Sequence, residues 1–322
     1  MTETAPTFEK PAGVVDDAAL AYESGVEIKA RSQWSYARMR FFRHKLAVAS
    51  LVVLSGFAIV AILASWIAPY GYDVQNFSLI SQPPTLKGFH IFGTDLLGRD
   101  YLSRVIYGIR TSLWVAVFVA VLSTVIGTTL GSVAGYYGGQ TDNLLMRFTD
   151  LILTLPGLAV LLVAAAYLGQ GDSQVGPITL TQPVKVALIL SFLFWTGLAR
   201  IVRGVFLSLR EKEFVEASRS LGASNTRIIV REILPNLAGP MIVYMTLLIP
   251  QTILYEAALS YLGLGVPQQI ASWGGLLNDA QRFYDTAWFL MLFPGLMLVI
   301  TTLAFNLLGD GLRDALDVRA DR

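Results

Sequence analysis

The sequence predicts an all-α, polytopic membrane protein with six transmembrane helices, and three observations carry that reading. Hydrophobic residues make up 54% of the chain and charged residues only 15%, with a mean hydropathy of +0.57, outside the range of ordinary soluble globules. Six apolar runs, near 46–68, 111–137, 144–169, 183–207, 239–260 and 287–308, each reach the ~20 residues needed to cross a bilayer core. The charges are also segregated. Eighteen Lys and Arg lie in 1–45, 138–147, 199–238 and 309–322, against six in the alternate segments. That bias puts both termini and the 208–235 loop in the cytoplasm.

Composition also excludes whole classes. The chain has no cysteine and only two histidines, His44 and His90, so disulfides, thiolate metal sites and histidine clusters are ruled out. It contains neither a GxxxxGK[ST] phosphate loop nor HExxH, and no convincing Ser/His constellation, which leaves little for an intramembrane enzyme. A secondary transporter or channel would more often carry its coupling charges at mid-membrane, whereas here the clear charges lie near span ends.

Residues 1–30 lack apolar periodicity and read as a disordered cytoplasmic tail without signal-peptide charge order. In 31–45, Trp34, Phe41 and Phe42 among Arg31, Arg38, Arg40, Arg43 and Lys45 suit a basic amphipathic helix on the inner membrane surface, and anchoring outweighs nucleic-acid binding. The first span, 46–68, stops at Pro69. The external loop 69–110 carries Lys87, Arg99, Arg104 and Arg110 against the charge trend. An apolar face of Leu102, Val105, Ile106 and Ile109, with i,i+4 pairs Asp95–Arg99 and Asp100–Arg104, predicts an amphipathic helix resting on the outer surface. The remaining five spans make a core over 111–308, followed by a cytoplasmic C-terminus at 309–322.

Within that core, Ser123, Gly127, Gly131 and Gly135 form a small-residue stripe that invites close approach of another helix, in this chain or a partner. Arg147 and Asp150 read as a local ion pair or a functional one, Arg200 and Arg203 as positive-inside residues, and Pro250 as a kink. Glu256 is expected at the outer interface or in a polar cavity. In 208–235, Ser208 and Glu211 have capping-box spacing. Phe214, Ala217, Ser218 and Leu221 then share one helix face, with Lys212, Glu216 and Arg219 opposite. Gly222 is a helix stop, Ser224 caps a second helix, and Pro235 marks its expected end.

Glu216, Ala217, Ser218, Gly222, Leu234 and Pro235 resemble the EAA loop of ABC-importer permeases, with serine in the third slot and Glu232 where isoleucine is usual. The run Phe92-Gly93-Thr94-Asp95, Gly98-Arg99-Asp100, Ser103-Arg104, Gly108 and Arg110 resembles the C-type permease subunit of dipeptide and oligopeptide importers. So does the outer loop 259–275, with Gly263, Gly265, Pro267, Trp273, Gly274 and Gly275 in a shaped, non-helical segment. The resemblance spans roughly residues 40–310. It implies a type I importer permease fold in the bacterial inner membrane, without catalytic, metal or cofactor residues of its own. It also implies a B-type permease partner, two cytoplasmic ATPase subunits or domains carrying ATP and Mg, and an external solute-binding protein. Glu216, Ala217, Ser218, Leu221, Gly222, Leu234 and Pro235 are the implied ATPase-coupling residues. Gly263, Gly265, Pro267 and Trp273 are candidates for binding-protein contact. The implied cargo is a di- or oligopeptide, with nickel chelates or another small solute as the alternative.

Overall fold

The computed structural model describes residues 33–168, 171–175 and 177–316. The expected N-terminal tail and residues 317–322 lie outside them. The described chain begins with α1 (Gln33–Arg43), the basic helix expected before the first span. Phe41 turns into a small cluster with Ala47 and Ala315, whereas Phe42 is exposed. His44 separates α1 from α2 (Lys45–Ile62), and its Nδ1 accepts the Ala47 backbone N–H at 3.1 Å. A short helical turn, Ala64–Ile67, closes this span.

The next helix, α3, runs unbroken from Tyr101 to Tyr137. The helix expected to lie on the outer surface is therefore the first part of this element, continuous with the second span. Its Val105, Ile106 and Ile109 are buried in the bundle, which removes the reason for it to fold down onto lipid. The third apolar run is likewise not one straight span. α4 (Gly139–Thr154) and α5 (Gly157–Leu168) meet at 87°, because Pro156 has no N–H to continue the helix. Strands β1 (Ser173–Val175) and β2 (Ile178–Leu180) form a small antiparallel hairpin.

α6 (Gln182–Leu209), the small helix α7 (Glu213–Ser220) and the 37-residue α8 (Asn225–Tyr261) follow. Pro235 does not end α8. Ile228–Ile233 adopt wide π-type turns and Leu234–Leu237 tighten to 3₁₀ geometry, so the missing proline N–H is absorbed and the helix continues through Ala238. After α9 (Trp273–Ala280), α10 (Phe289–Leu316) carries the sixth span eight residues beyond its expected end at 308.

α6 sits at the centre: 61% of its most apolar window is buried, against 22% for α2, the least buried of the five long apolar helices. The α3–α6 contact explains the small-residue stripe. The Ser123 hydroxyl donates to the Ser191 carbonyl at 3.4 Å across residues 68 apart. A Cβ added to Gly127 would lie 2.7 Å from the Trp195 oxygen, and at Gly131 it would lie 2.5 Å from the Ala199 oxygen. One at Gly135 would lie 2.8 Å from the Arg203 oxygen. The sequence offset is the same at each step, so the two helices run in the same direction and in register over about three turns. The stripe's partner is therefore within this chain.

That contact makes a specific demand on residue size. Gly131→Leu should lower the thermal midpoint of the purified protein, and Gly131→Ala should do so less. An overpacked core site typically costs ~1–3 kcal/mol. Fluorescence-detected gel filtration after heating measures the order, and a Leu variant as stable as the parent would remove the argument.

Candidate functional site

The candidate site is the loop from Leu209 to Pro235, carried by the cytoplasmic ends of α6 and α8 under the charge-bias orientation. Ser208 does not cap α7, because it is still inside α6; Lys212 occupies the cap position and makes no side-chain capping hydrogen bond. The Schellman stop expected of Gly222 is complete. Gly222 has φ +81°, its N–H donates to the Arg219 carbonyl at 3.0 Å, and the Ala223 N–H reaches the Ser218 carbonyl at 3.1 Å. Ser224 then caps α8 by accepting from the Arg227 N–H at 3.4 Å.

The face of α7 that packs inward is not the one the apolar spacing suggested. Val215 is fully buried, in a cluster with Tyr136, Val202, Phe206, Ile228, Ile233 and Leu237. Burying a side chain of this size is worth ~1.5–3 kcal/mol and seats the helix. Phe214, Ala217 and Leu221 are exposed, Leu221 to 89%. Glu216 and Gly222 are also exposed and Ser218 is half-buried. Pro235 is exposed and Leu234 half-buried one helical segment away.

The loop is also tied to α3. The Tyr136 hydroxyl donates to Asn225 Oδ1 at 2.9 Å, and Arg210 Nη1 donates to the Gly135 carbonyl at 3.2 Å. Next to it, Arg203 grips Asp142 with Nη2–Oδ2 at 2.6 Å, and Arg200 pairs with Asp150. The local Arg147–Asp150 pair is thus replaced by one between α4 and α6, leaving Arg147 exposed. Arg200 and Arg203 are helix-to-helix clamps as well as positive-inside residues.

At the other end of the bundle, the two outer motifs meet. Asp95 accepts from Arg99 Nε at 2.6 Å, as spaced, but also from Arg104 Nη1 at 2.8 Å. Asp100 pairs instead with His90 at 2.8 Å and caps α3 through the Ser103 N–H at 2.7 Å. Arg104 is 1% exposed, and its Nη2 donates to the Gln268 carbonyl at 2.9 Å. Asp279 lies 4.0 Å from Arg99 and 3.8 Å from Arg104. No sequence signal marked it, because its cations lie far away along the chain.

Trp273 is fully buried against α3, its Nε1 donating to the Val105 carbonyl at 3.4 Å. It supports the outer segment from beneath, and with Gly274 and Gly275 it opens α9 instead of lying in an irregular loop. Gly265 is also buried, Pro267 is half-buried and Gly263 is exposed. Glu256 is kept away from lipid, as expected, but in a closed polar site lined by serines and not an open cavity. It is completely buried and accepts from Ser260 Oγ at 2.7 Å and Ser112 Oγ at 3.2 Å. Among the described residues, no cluster of His, Asp and Glu could hold a metal ion.

This geometry can be compared with known proteins. Residues 127–322 match the family described as binding-protein-dependent transport system inner membrane component. The chain belongs to that family. Residues 32–84 additionally match the N-terminal TM domain of oligopeptide transport permease C. The oligopeptide transport system permease protein OppC of Haemophilus influenzae is 40% identical over 98% of this chain and 97% of its own. The OppC protein of Escherichia coli K12 is 40% identical over 92% and 94%. The dipeptide transport system permease protein DppC of Bacillus subtilis is 39% identical over 88% and 85%. Among solved structures, the inward-facing MetNI methionine ABC transporter gives a TM-score of 0.50 at 19% identity, over 67% of this chain and 97% of that one. The likeness supports the importer-permease fold. Family membership also makes the chain a multi-pass inner-membrane permease component.

The outer charge cluster carries a pH signature. Burial, and secondarily the Asp95 charge, push Asp279 up to about 6, while Arg99 pulls it down. A carboxyl raised on folding favours the folded form at low pH, and that contribution is lost as pH rises through about 6. Between about pH 4 and about pH 6, the parent should therefore lose stability relative to Asp279→Asn. Thermal midpoints of both proteins across that range test it, and parallel profiles would count against it.

Proposed function

We propose that this permease is the C-type membrane subunit of an ATP-driven peptide importer. It would form half of the translocation pathway beside a homologous B-type subunit. The cargo class is taken from the relatives, whose names specify oligopeptide or dipeptide transport over nearly the full length of this chain. Nickel chelates and other small solutes are not favoured by any of these likenesses. The remaining partners are two cytoplasmic ATPase subunits or domains, which would carry ATP and Mg, and an external solute-binding protein. Gly263 and Pro267 remain the contacts proposed for that protein.

The observation that supports coupling through α7 is its divided surface. Val215 fastens the helix to the bundle while Phe214, Ala217 and Leu221 present an apolar face that stays exposed among the described residues. An apolar helix face with a carboxylate beside it suits a groove on another subunit. In that groove Glu216 would accept hydrogen bonds or pair with a cation, without proton transfer, a contact worth ~1.5–3 kcal/mol when desolvated. Leu234 and Pro235 would set where α8 receives the movement. ATP-driven closure of the ATPases would then open the pathway outward to receive substrate.

The orientation is tested by impermeant thiol labelling in intact cells. Gln268→Cys should label and Asn225→Cys should not, and the reverse result would overturn it. Coupling is tested by co-purification of the ATPases with uptake measurements. There is room for a side chain at Gly222, but φ +81° strains any β-branched residue. Gly222→Val should therefore impair uptake and coupled ATP hydrolysis while the permease still inserts. Glu216→Lys should weaken ATPase association, more at low salt than at high, while Glu216→Gln retains part of the activity. Parental behaviour in all three would remove α7 from the mechanism.

A further inference from the structure

We propose that the groove between α2, α3 and α10 is a binding site for a phospholipid, with its phosphate on Arg110 and one acyl chain along the apolar wall. The groove has a volume of about 590 Å³. Leu54, Ala58 and Ile62 form its wall on α2, one residue per turn, facing Val117 on α3 and Phe305 on α10. Arg110 is the single charged residue lining it.

Arg110 stands apart from the other α3 cation. Arg104 is buried and held by Asp95, whereas Arg110 is exposed, and among the described residues no carboxylate or hydrogen-bond acceptor meets its guanidinium. One turn further along, the half-exposed Trp114 lines the same groove, as suits an aromatic ring at headgroup depth. From Ile62 to Leu54 the groove runs ~12 Å along α2 at 1.5 Å per residue, close to the ~15 Å that one leaflet contributes to the core.

A guanidinium at the edge of a low-dielectric surface is costly without an anion, and phosphate satisfies it with two parallel hydrogen bonds. A phospholipid brings that anion already joined to an apolar chain of the right direction. A neighbouring transmembrane helix would need a carboxylate at this one level as well as a face narrow enough for the groove. The charge pattern therefore favours lipid as the occupant. Bound there, it would fill the seam between the sparsely buried α2 and the rest of the bundle.

The test is native mass spectrometry of the permease in the assembly it forms, extracted in mild detergent. One tightly retained phospholipid is expected. Arg110→Gln should reduce its occupancy about tenfold, equivalent to ~1.4 kcal/mol, with Arg110→Lys intermediate. Ala58→Trp should displace it by filling the wall while leaving Arg110 in place. A photo-cross-linking residue at Val117 should capture lipid. Adding dioleoyl phosphatidylglycerol to delipidated protein should restore the bound mass, and inorganic phosphate should not. Unchanged retention in both Arg110→Gln and Ala58→Trp, or a cross-link from Val117 to protein, would overturn the proposal.

Discussion

The rest of the bundle depends on how closely the backbones of α3 and α6 approach. Within a membrane there is little hydrophobic gain in pushing two apolar helices together, so association rests on van der Waals contact and polar groups. Glycine at 127, 131 and 135 converts that limitation into a tight seam, because each Cβ that is absent leaves space for a carbonyl of α6. The two helices then behave as one thick strut. Asp142 and Asp150 on α4 fasten a third helix to it through Arg203 and Arg200. Loosening the seam would displace the arginines that these carboxylates meet.

At the outer end the same strut is joined by polar contacts. Asp95 binds two guanidiniums, and Arg104 reaches both Asp279 and the Gln268 carbonyl, so residues near 100 and near 270 form one unit. Glu256 adds a second link. Ser112 on α3 donates to it, and the Ser112 oxygen in turn accepts the Trp273 N–H at 3.3 Å. Ser260 donates to the same carboxylate and accepts the Val266 N–H at 3.0 Å. A chain of satisfied buried hydrogen bonds is costly to break one member at a time, because each break strands a polar group away from water. The outer segment is therefore held as part of the bundle, although much of it lacks regular structure.

Periodicity and charge made the spans legible, and local stereochemistry made the Gly222 stop and the Ser224 cap legible. What escaped were facts about partners. The spacing of Phe214, Ala217 and Leu221 identifies an apolar face but does not say whether that face meets the bundle or another surface; Val215, off that face, turned out to be the buried anchor. Asp100 and Arg104 have good i,i+4 spacing, yet His90 and Asp95 outcompete it because the loop folds back. Pro235 carries a strong helix-stop signal, and wide turns upstream of it overrode that signal by re-pairing the backbone. Asp279 was silent because its partners are brought to it only by the fold.

Those wide turns also bear on how movement would cross the membrane. α8 starts beside the Gly222 stop and ends beside Glu256, so at 1.5 Å per residue its 37 residues span ~55 Å, more than the bilayer core. On the coupling reading, α7 is pushed sideways, and Val215 passes that push to Ile228 and Ile233, which belong to the π-type turns. Such turns bend at less cost than a regular helix. The following 3₁₀ turn contains Pro235, whose absent N–H leaves one fewer hydrogen bond to resist bending. Beyond them the helix runs on to Tyr261, with Pro250 inside it, and meets the outer segment through a buried carboxylate. Compliance is thus greatest next to the loop, where wide turns and a proline coincide, and less along the remainder, where Pro250 interrupts the hydrogen bonding. In that arrangement a small displacement at α7 would tilt the rest of α8, carrying the Glu256 link and the outer segment with it.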